Sequence, residues 1–236
     1  STSKLKEPRS EWFPRGERGA AATLRRLLPS MRRAVYGKRE PSVTVIARRS
    51  RSPFKVLVST VISARTKDEV TGEAARRLFA KASTPRALSA LNERTIAGLI
   101  YPAGFYRTKA KAIRALSATI AREFRGRVPR TMEALLSLPG VGRKTANLVL
   151  TLGFALPGIC VDTHVHRVVN RLGVVRTRHP AETEACLRAV LARRYWLEIN
   201  DLLVVFGKTV CAPVSPRCSI CPVRRGCARV GVTRSR

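Results

Sequence analysis

Acidic side chains are scarce in this chain. Asp and Glu number 15 against 46 Lys and Arg in 236 residues, a formal net charge of +31. Self-repulsion of that size calls for a counterion of opposite sign, and nucleic acid phosphate is the obvious one. An acidic membrane is the rival partner, but the charge is spread along the whole chain rather than gathered on one amphipathic segment. No apolar run reaches the length of a membrane span. Strand-like alternation is nearly missing as well; Val43-Thr44-Val45-Ile46 is the one short example. Apolar residues recur instead at spacings of three and four, which predicts an all-α fold. With 44% hydrophobic residues the chain is globular, and its length allows one large domain or two small ones, each with a core.

Cysteines are few outside one place. Four of the six, Cys211, Cys218, Cys221 and Cys227, follow C-x6-C-x2-C-x5-C, whereas Cys160 and Cys186 stand alone in apolar surroundings and are expected in cores. That distribution is a metal-site pattern of a reducing compartment rather than a disulfide framework. By ligand type, four thiolates suit zinc or an iron–sulfur cluster. Two short pairs are usual for zinc ribbons; here there is one, with uneven outer spacings. The segment from Lys208 onward has no acid but carries Arg217, Arg224, Arg225, Arg229, Arg234 and Arg236.

The periodicity and capping residues predict a first helix from about Ala20 to Tyr36, with a break near Pro29. A helix starting at Ser52-Pro53 follows, with Ser52 as N-cap and Pro53 at the first helical position. Further helices are expected over Asp68–Lys81, Pro85–Leu91, Glu93–Tyr101, Thr108–Phe124, Thr131–Leu138, Arg143–Phe154, Asp162–Leu172, Ala181–Arg193 and Leu197–Phe206. Residues 1–19 mix both charges without an apolar stretch and read as a flexible basic tail. Ala155-Leu156-Pro157-Gly158 is the candidate hinge between two halves.

The densest information lies in Leu138-Pro139-Gly140-Val141-Gly142-Arg143-Lys144, with Asp162 eighteen positions after the lysine. Between Glu133 and Glu182 Asp162 is the only carboxylate. In a helix-hairpin-helix the glycines permit backbone angles closed to other residues and let amide N–H groups approach a phosphate. The next helix adds the positive end of its dipole, so the unit grips a backbone without reading sequence. A neutral lysine amine delivered there can attack the anomeric carbon of a deoxynucleotide, displace the base and form a Schiff base to the opened sugar. Asp162 has a bland role, capping the helix after it, and a sharper one, steadying positive charge on the sugar. The two are compatible.

These residues closely resemble the endonuclease III family of helix-hairpin-helix DNA glycosylases with lyase activity. The resemblance rests on LPGVGRKTAN at Leu138–Asn147, VDTHVHRV at Val161–Val168 and the four terminal cysteines, with weaker similarity through Ser52–Thr71. It implies a six-helix barrel domain over residues 46–156 and a cluster domain from residues 20–45 and 157–236, with DNA in the cleft between them. It also implies base excision repair: removal of oxidised pyrimidines from double-stranded DNA and incision at abasic sites. Lys144 takes the nucleophile position and Asp162 the catalytic aspartate position. Leu138, Gly140, Val141, Gly142, Arg143 and Thr145 fall in the DNA-binding hairpin. Cys211, Cys218, Cys221 and Cys227 match the ligands of a [4Fe–4S] cluster.

The resemblance also implies two positions for nucleotide extrusion, in which inserted side chains plug the gap left in the duplex. Phe105, in Gly104-Phe105-Tyr106, looks like one wedge, with a core position as its alternative. Arg65 stands where the family usually has glutamine, and an arginine is longer, charged and donor-only. That departure leaves open a relative with altered specificity, such as a mismatch or uracil glycosylase. A non-catalytic DNA-binding relative, with Lys144 as a phosphate contact, is the reading from another class. Nothing in the sequence indicates an oligomer, so a monomer is expected, without membrane association. The expected location is the cytoplasm, with the nucleoid, in a prokaryote, and the nucleus in a eukaryote.

Overall fold

The computed structural model describes residues 7–236, and every regular element among them is helical. The chain divides into two units, one of residues 41–156 and one of residues 1–40 with 157–236. Among the described residues no helix is long and apolar enough to cross a membrane.

The central unit is organised around α3 (Pro53–Ser63), which packs against α2 (Ser42–Ser50), α4 (Asp68–Lys81), α7 (Tyr106–Glu123) and α9 (Arg143–Leu148). A helix apolar all round belongs inside, and Phe54, Val56, Leu57, Val58, Val61 and Ile62 of α3 are all buried. The short helices α5 (Pro85–Ala90), α6 (Glu93–Ile100) and α8 (Met132–Leu136) complete the unit. Their starts are written locally. Ser52, Thr84, Asn92 and Thr131 each accept a hydrogen bond from the amide three residues on, and Pro53 and Pro85 follow the caps of α3 and α5. The chain leaves α9 through a π-helical segment, Val149–Gly153.

The strand-like run Val43–Ile46 lies inside α2, against expectation. The cause is tertiary. Ser42 donates its amide to both Asp68 carboxylate oxygens at 3.0 and 3.1 Å and its hydroxyl to the Asp68 carbonyl at 2.8 Å. A cap borrowed from α4 overrides the β preference of Val43, Val45 and Ile46. Because α2 packs on α3 and α4, residues 41–45, expected in the other unit, belong to this one.

In the second unit α1 (Gly16–Val35) packs on α11 (Pro180–Val190) and α12 (Ile199–Thr209), and α10 (Thr163–Arg171) packs on α11 and α12. The expected break at Pro29 is not there; α1 runs through it. Proline in a helix interior costs about 3 kcal/mol or more. Burial of Leu24, Leu27, Leu28 and Met31, at about 1.5–3 kcal/mol for each side chain, outweighs it. The expectation of a flexible tail over residues 1–19 is likewise corrected from Ser10 onward. Ser10–Trp12 form a 3-10 turn, Trp12 and Phe13 are buried in the core, and the Trp12 carbonyl accepts from the Arg176 amide at 2.7 Å. Residues 1–6 of that expected tail lie outside the described residues.

Candidate functional site

The hairpin between α8 and α9 is anchored from below. Leu138 and Val141, expected in the DNA-binding hairpin, are 2% and 7% exposed, and their side chains belong to the core. Only their backbone can face a ligand, and the Val141 amide already donates to the Leu138 carbonyl at 3.2 Å. Gly140 is the residue that makes the turn possible: its φ is +73°, and an added Cβ would stand 2.9 Å from the Ala112 Cβ. Gly142 differs. It is exposed, and no heavy atom lies within 4 Å of where its Cβ would be. Arg143 and Thr145 are half-buried in the first turn of α9, and Lys144 between them is exposed.

Asp162 begins α10. Its Oδ1 accepts from the His164 amide at 2.8 Å and the Val165 amide at 2.9 Å, so the carboxylate is a true N-cap, held in one position with the residue 9% exposed. Lys144 belongs to the central unit and Asp162 to the second.

Arg65 and Phe105 come together. The Arg65 guanidinium sits 5.5 Å from the Phe105 ring centroid, within cation–π range. Phe105 is 62% exposed, which removes the core alternative for it. Both residues have left-handed backbones, with φ of +51° and +57°. Non-glycine residues adopt that conformation uncommonly, and such strain is kept where surroundings enforce it. Here the enforcement is visible: a Cβ on Gly104 would lie 2.4 Å from the Arg65 carbonyl oxygen, so the two loops touch backbone to backbone.

Sequence reading missed Lys109 and Thr66. Lys109, in the second turn of α7, is 7% exposed. Its Nζ donates to the carbonyls of Ile62 at 2.7 Å and Ala64 at 2.5 Å and to the Thr66 hydroxyl at 2.8 Å. Thr66 also accepts from the Gly104 amide at 3.1 Å. Burial pulls the Lys109 pKa from 10.5 down to about 8. In sequence it was one lysine among many, and only its position after the Gly-Phe turn set it apart.

The four terminal cysteines converge on a single cavity whose other walls include Val168, Leu172 and Phe206. Burial pushes the Cys221 and Cys227 thiols up, and the neighbouring thiols add to the effect. Nitrogen donors reach the sulfurs: Arg171 Nη1 to Cys211 Sγ at 3.5 Å, and the Arg229 amide to Cys227 Sγ at 3.4 Å. Among the described residues, no three His, Cys, Asp or Glu side chains are grouped to hold a single metal ion. An apolar chamber with four thiols and donors aimed at sulfur fits an iron–sulfur cluster, whose ligands are thiolates and whose sulfurs accept hydrogen bonds. Cys160 and Cys186 are buried elsewhere in this unit, and burial raises Cys186 to about 12.

Residues 58–193 match the model of the HhH-GPD superfamily of base excision DNA repair proteins. The chain belongs to this family. Endonuclease III of Thermotoga maritima is 47% identical over 175 residues, covering 74% of this chain and 82% of that one. A solved non-covalent endonuclease III–DNA complex superposes with a TM-score of 0.80 at 34% identity, over 89% of this chain and 95% of that one. A trapped endonuclease III–DNA covalent intermediate does so at 0.78 and 32% identity, over 89% and 96%. These are endonuclease III relatives, and the α8–α9 turn described above lies within the residues that match the family.

Proposed function

We propose that this HhH-GPD protein is a base excision repair DNA glycosylase with abasic-site lyase activity, acting on oxidised pyrimidines in duplex DNA. The observation that carries it is the exposed Lys144 in the first turn of α9, directly behind a hairpin whose apolar residues are sunk in the core. The buried anchors fix the turn, and the turn fixes where the amine projects. The likeness to an endonuclease III–DNA covalent intermediate supports a reaction through a covalent bond.

In this reading the Lys144 Nζ attacks C1′ through its lone pair and the glycosidic bond breaks, the base leaving with the electron pair and acquiring a proton, while the nitrogen made cationic by the attack gives one up. The nitrogen lone pair then forms the C=N bond as C1′–O4′ opens, and O4′ takes up a proton. Loss of a C2′ proton expels the 3′ phosphate by β-elimination, and water hydrolyses the Schiff base. Asp162, immobilised by its two amide donors, supplies a fixed negative charge toward the cationic sugar. Gly140 and Gly142 open the hairpin backbone to a phosphate. Arg65 and Phe105 fill the space of the extruded nucleotide, and a donor-only arginine there favours an acceptor on the opposite base.

Cys211, Cys218, Cys221 and Cys227 would hold a [4Fe–4S] cluster. Bound there, it supplies iron–thiolate cross-links across a segment whose arginines then face DNA phosphate.

Borohydride reduction in the presence of duplex DNA carrying an abasic site or thymine glycol should leave a covalent protein–DNA adduct. Lys144→Ala should leave none. An adduct of undiminished yield from that variant would show that another amine is the nucleophile.

A further inference from the structure

Lys109 lies outside the hairpin and has no part in the chemistry above, yet its environment is unusual. A buried ammonium has three protons to place, and all three have acceptors: the Ile62 carbonyl, the Ala64 carbonyl and the Thr66 hydroxyl. The Ile62 carbonyl is one of the last of α3, left without an intrahelical partner. The lysine thus closes the end of α3 from a helix distant in sequence, and it does so at the turn that carries Arg65. Thr66 joins the same knot to the other loop, since its hydroxyl also receives the Gly104 amide. On the far side of this knot, Arg65 and Phe105 stack and are exposed, each on a left-handed backbone.

We propose that Lys109 is a positioning residue for nucleotide extrusion: its three hydrogen bonds clamp the Ile62–Thr66 turn to the Gly104–Phe105 loop, so that Arg65 and Phe105 enter the duplex as one preassembled wedge. This rests on the duplex glycosylase reading above. The physical reason is preorganisation. A wedge of two side chains on separate loops must order both loops on insertion, whereas a clamped pair has already lost that freedom. The ammonium is suited to the task because the acceptors to be joined are carbonyls and a hydroxyl, which need a donor with three protons. Neutral side chains of similar length leave buried carbonyls unpaired.

The test compares Lys109→Met with the parent on thymine glycol placed in a fully paired duplex and in a small unpaired bubble. Extrusion costs least where pairing and stacking are already lost, so the bubble bypasses the wedge. Excision from the paired duplex should fall about 10–100-fold, as expected when a positioning contact is lost. The bubble rate should fall far less, and 2-aminopurine beside the lesion should report less unstacking in the paired duplex. Equal losses on both substrates, or no loss on either, would overturn the proposal. A parent protein that forms no borohydride adduct with either DNA would instead overturn the glycosylase reading itself. Should Lys109→Met not fold, Thr66→Val removes the shared hydroxyl more gently, and the same paired-only loss is expected. In a background of Arg65→Ala and Phe105→Ala, either variant should add no further paired-duplex defect, because the clamp acts only through the wedge.

Discussion

Asp162 fills two roles with one carboxylate, and two substitutions separate them. Its Oδ1 accepts from the His164 amide at 2.8 Å and the Val165 amide at 2.9 Å. Asparagine keeps an acceptor oxygen at the same reach and ranks with aspartate as an N-cap, while alanine offers none. Asp162→Ala should therefore cost about 1–2 kcal/mol of stability, a fall of about 2–8 °C in Tm for a chain of this size. Asp162→Asn should lose only the attraction of its charge to the α10 dipole, about 0.3–1 kcal/mol. Activity should not follow stability. If the negative charge steadies the cationic sugar, both variants lose it, and removal of one preorganised electrostatic contact costs about 100–1000-fold in rate. Thermal unfolding and single-turnover excision of thymine glycol, measured side by side, read the two effects. A well-folded Asp162→Asn that excises at the parental rate would refute the reasoning and leave Asp162 a helix cap alone.

The hairpin glycines should separate in a similar way. Gly140→Ala, at φ +73° and 2.9 Å from the Ala112 Cβ, should destabilise by about 1–3 kcal/mol; Gly142→Ala, in open space, should cost at most about 1 kcal/mol as a poorer cap yet weaken duplex binding in a salt-titrated affinity assay. Unchanged affinity for Gly142→Ala would mean that no phosphate approaches that backbone. Lys109 gives a pH signature: its pKa falls from 10.5 to about 8 on burial, so between those values the unfolded chain binds a proton the folded chain lacks, and stability rises with pH. Relative to the non-titrating Lys109→Met, the parent should gain up to about 3 kcal/mol of unfolding free energy across that window; a flat difference would refute the burial argument. Purified holoprotein should absorb near ~400 nm and lose that band in Cys221→Ser, whereas a colourless protein carrying zinc would overturn the cluster assignment.

Much of the helical framework was legible because its signals are local. Ser52-Pro53, Thr84-Pro85, Asn92 and Thr131 announce helix starts through hydrogen bonds to amides three residues away, and those bonds form wherever the segment sits. The hairpin was legible for the same reason, since Gly140 answers to its own φ. Misreadings arose where a distant partner decides. Asp68 turns Val43–Ile46 from strand-like into helix, the apolar face of α1 carries it through Pro29, and the core of the second unit takes in Trp12 and Phe13. Leu138 and Val141 were read as part of the hairpin by motif, but a motif does not say which way a side chain points, and both side chains turn into the core.

By itself, then, the sequence determined the charge that selects a phosphate partner, the helical class, the glycine hairpin ending in Lys144, the Asp162 cap and the cysteine spacing. Each follows from composition or from contacts within a few residues. Tertiary structure alone decided that four thiols share one apolar cavity, that Phe105 is exposed against Arg65, and that a buried lysine ties their loops together. Those facts depend on which surfaces meet when helices pack, and the burial that drives packing is non-directional, so no local pattern in the chain records it.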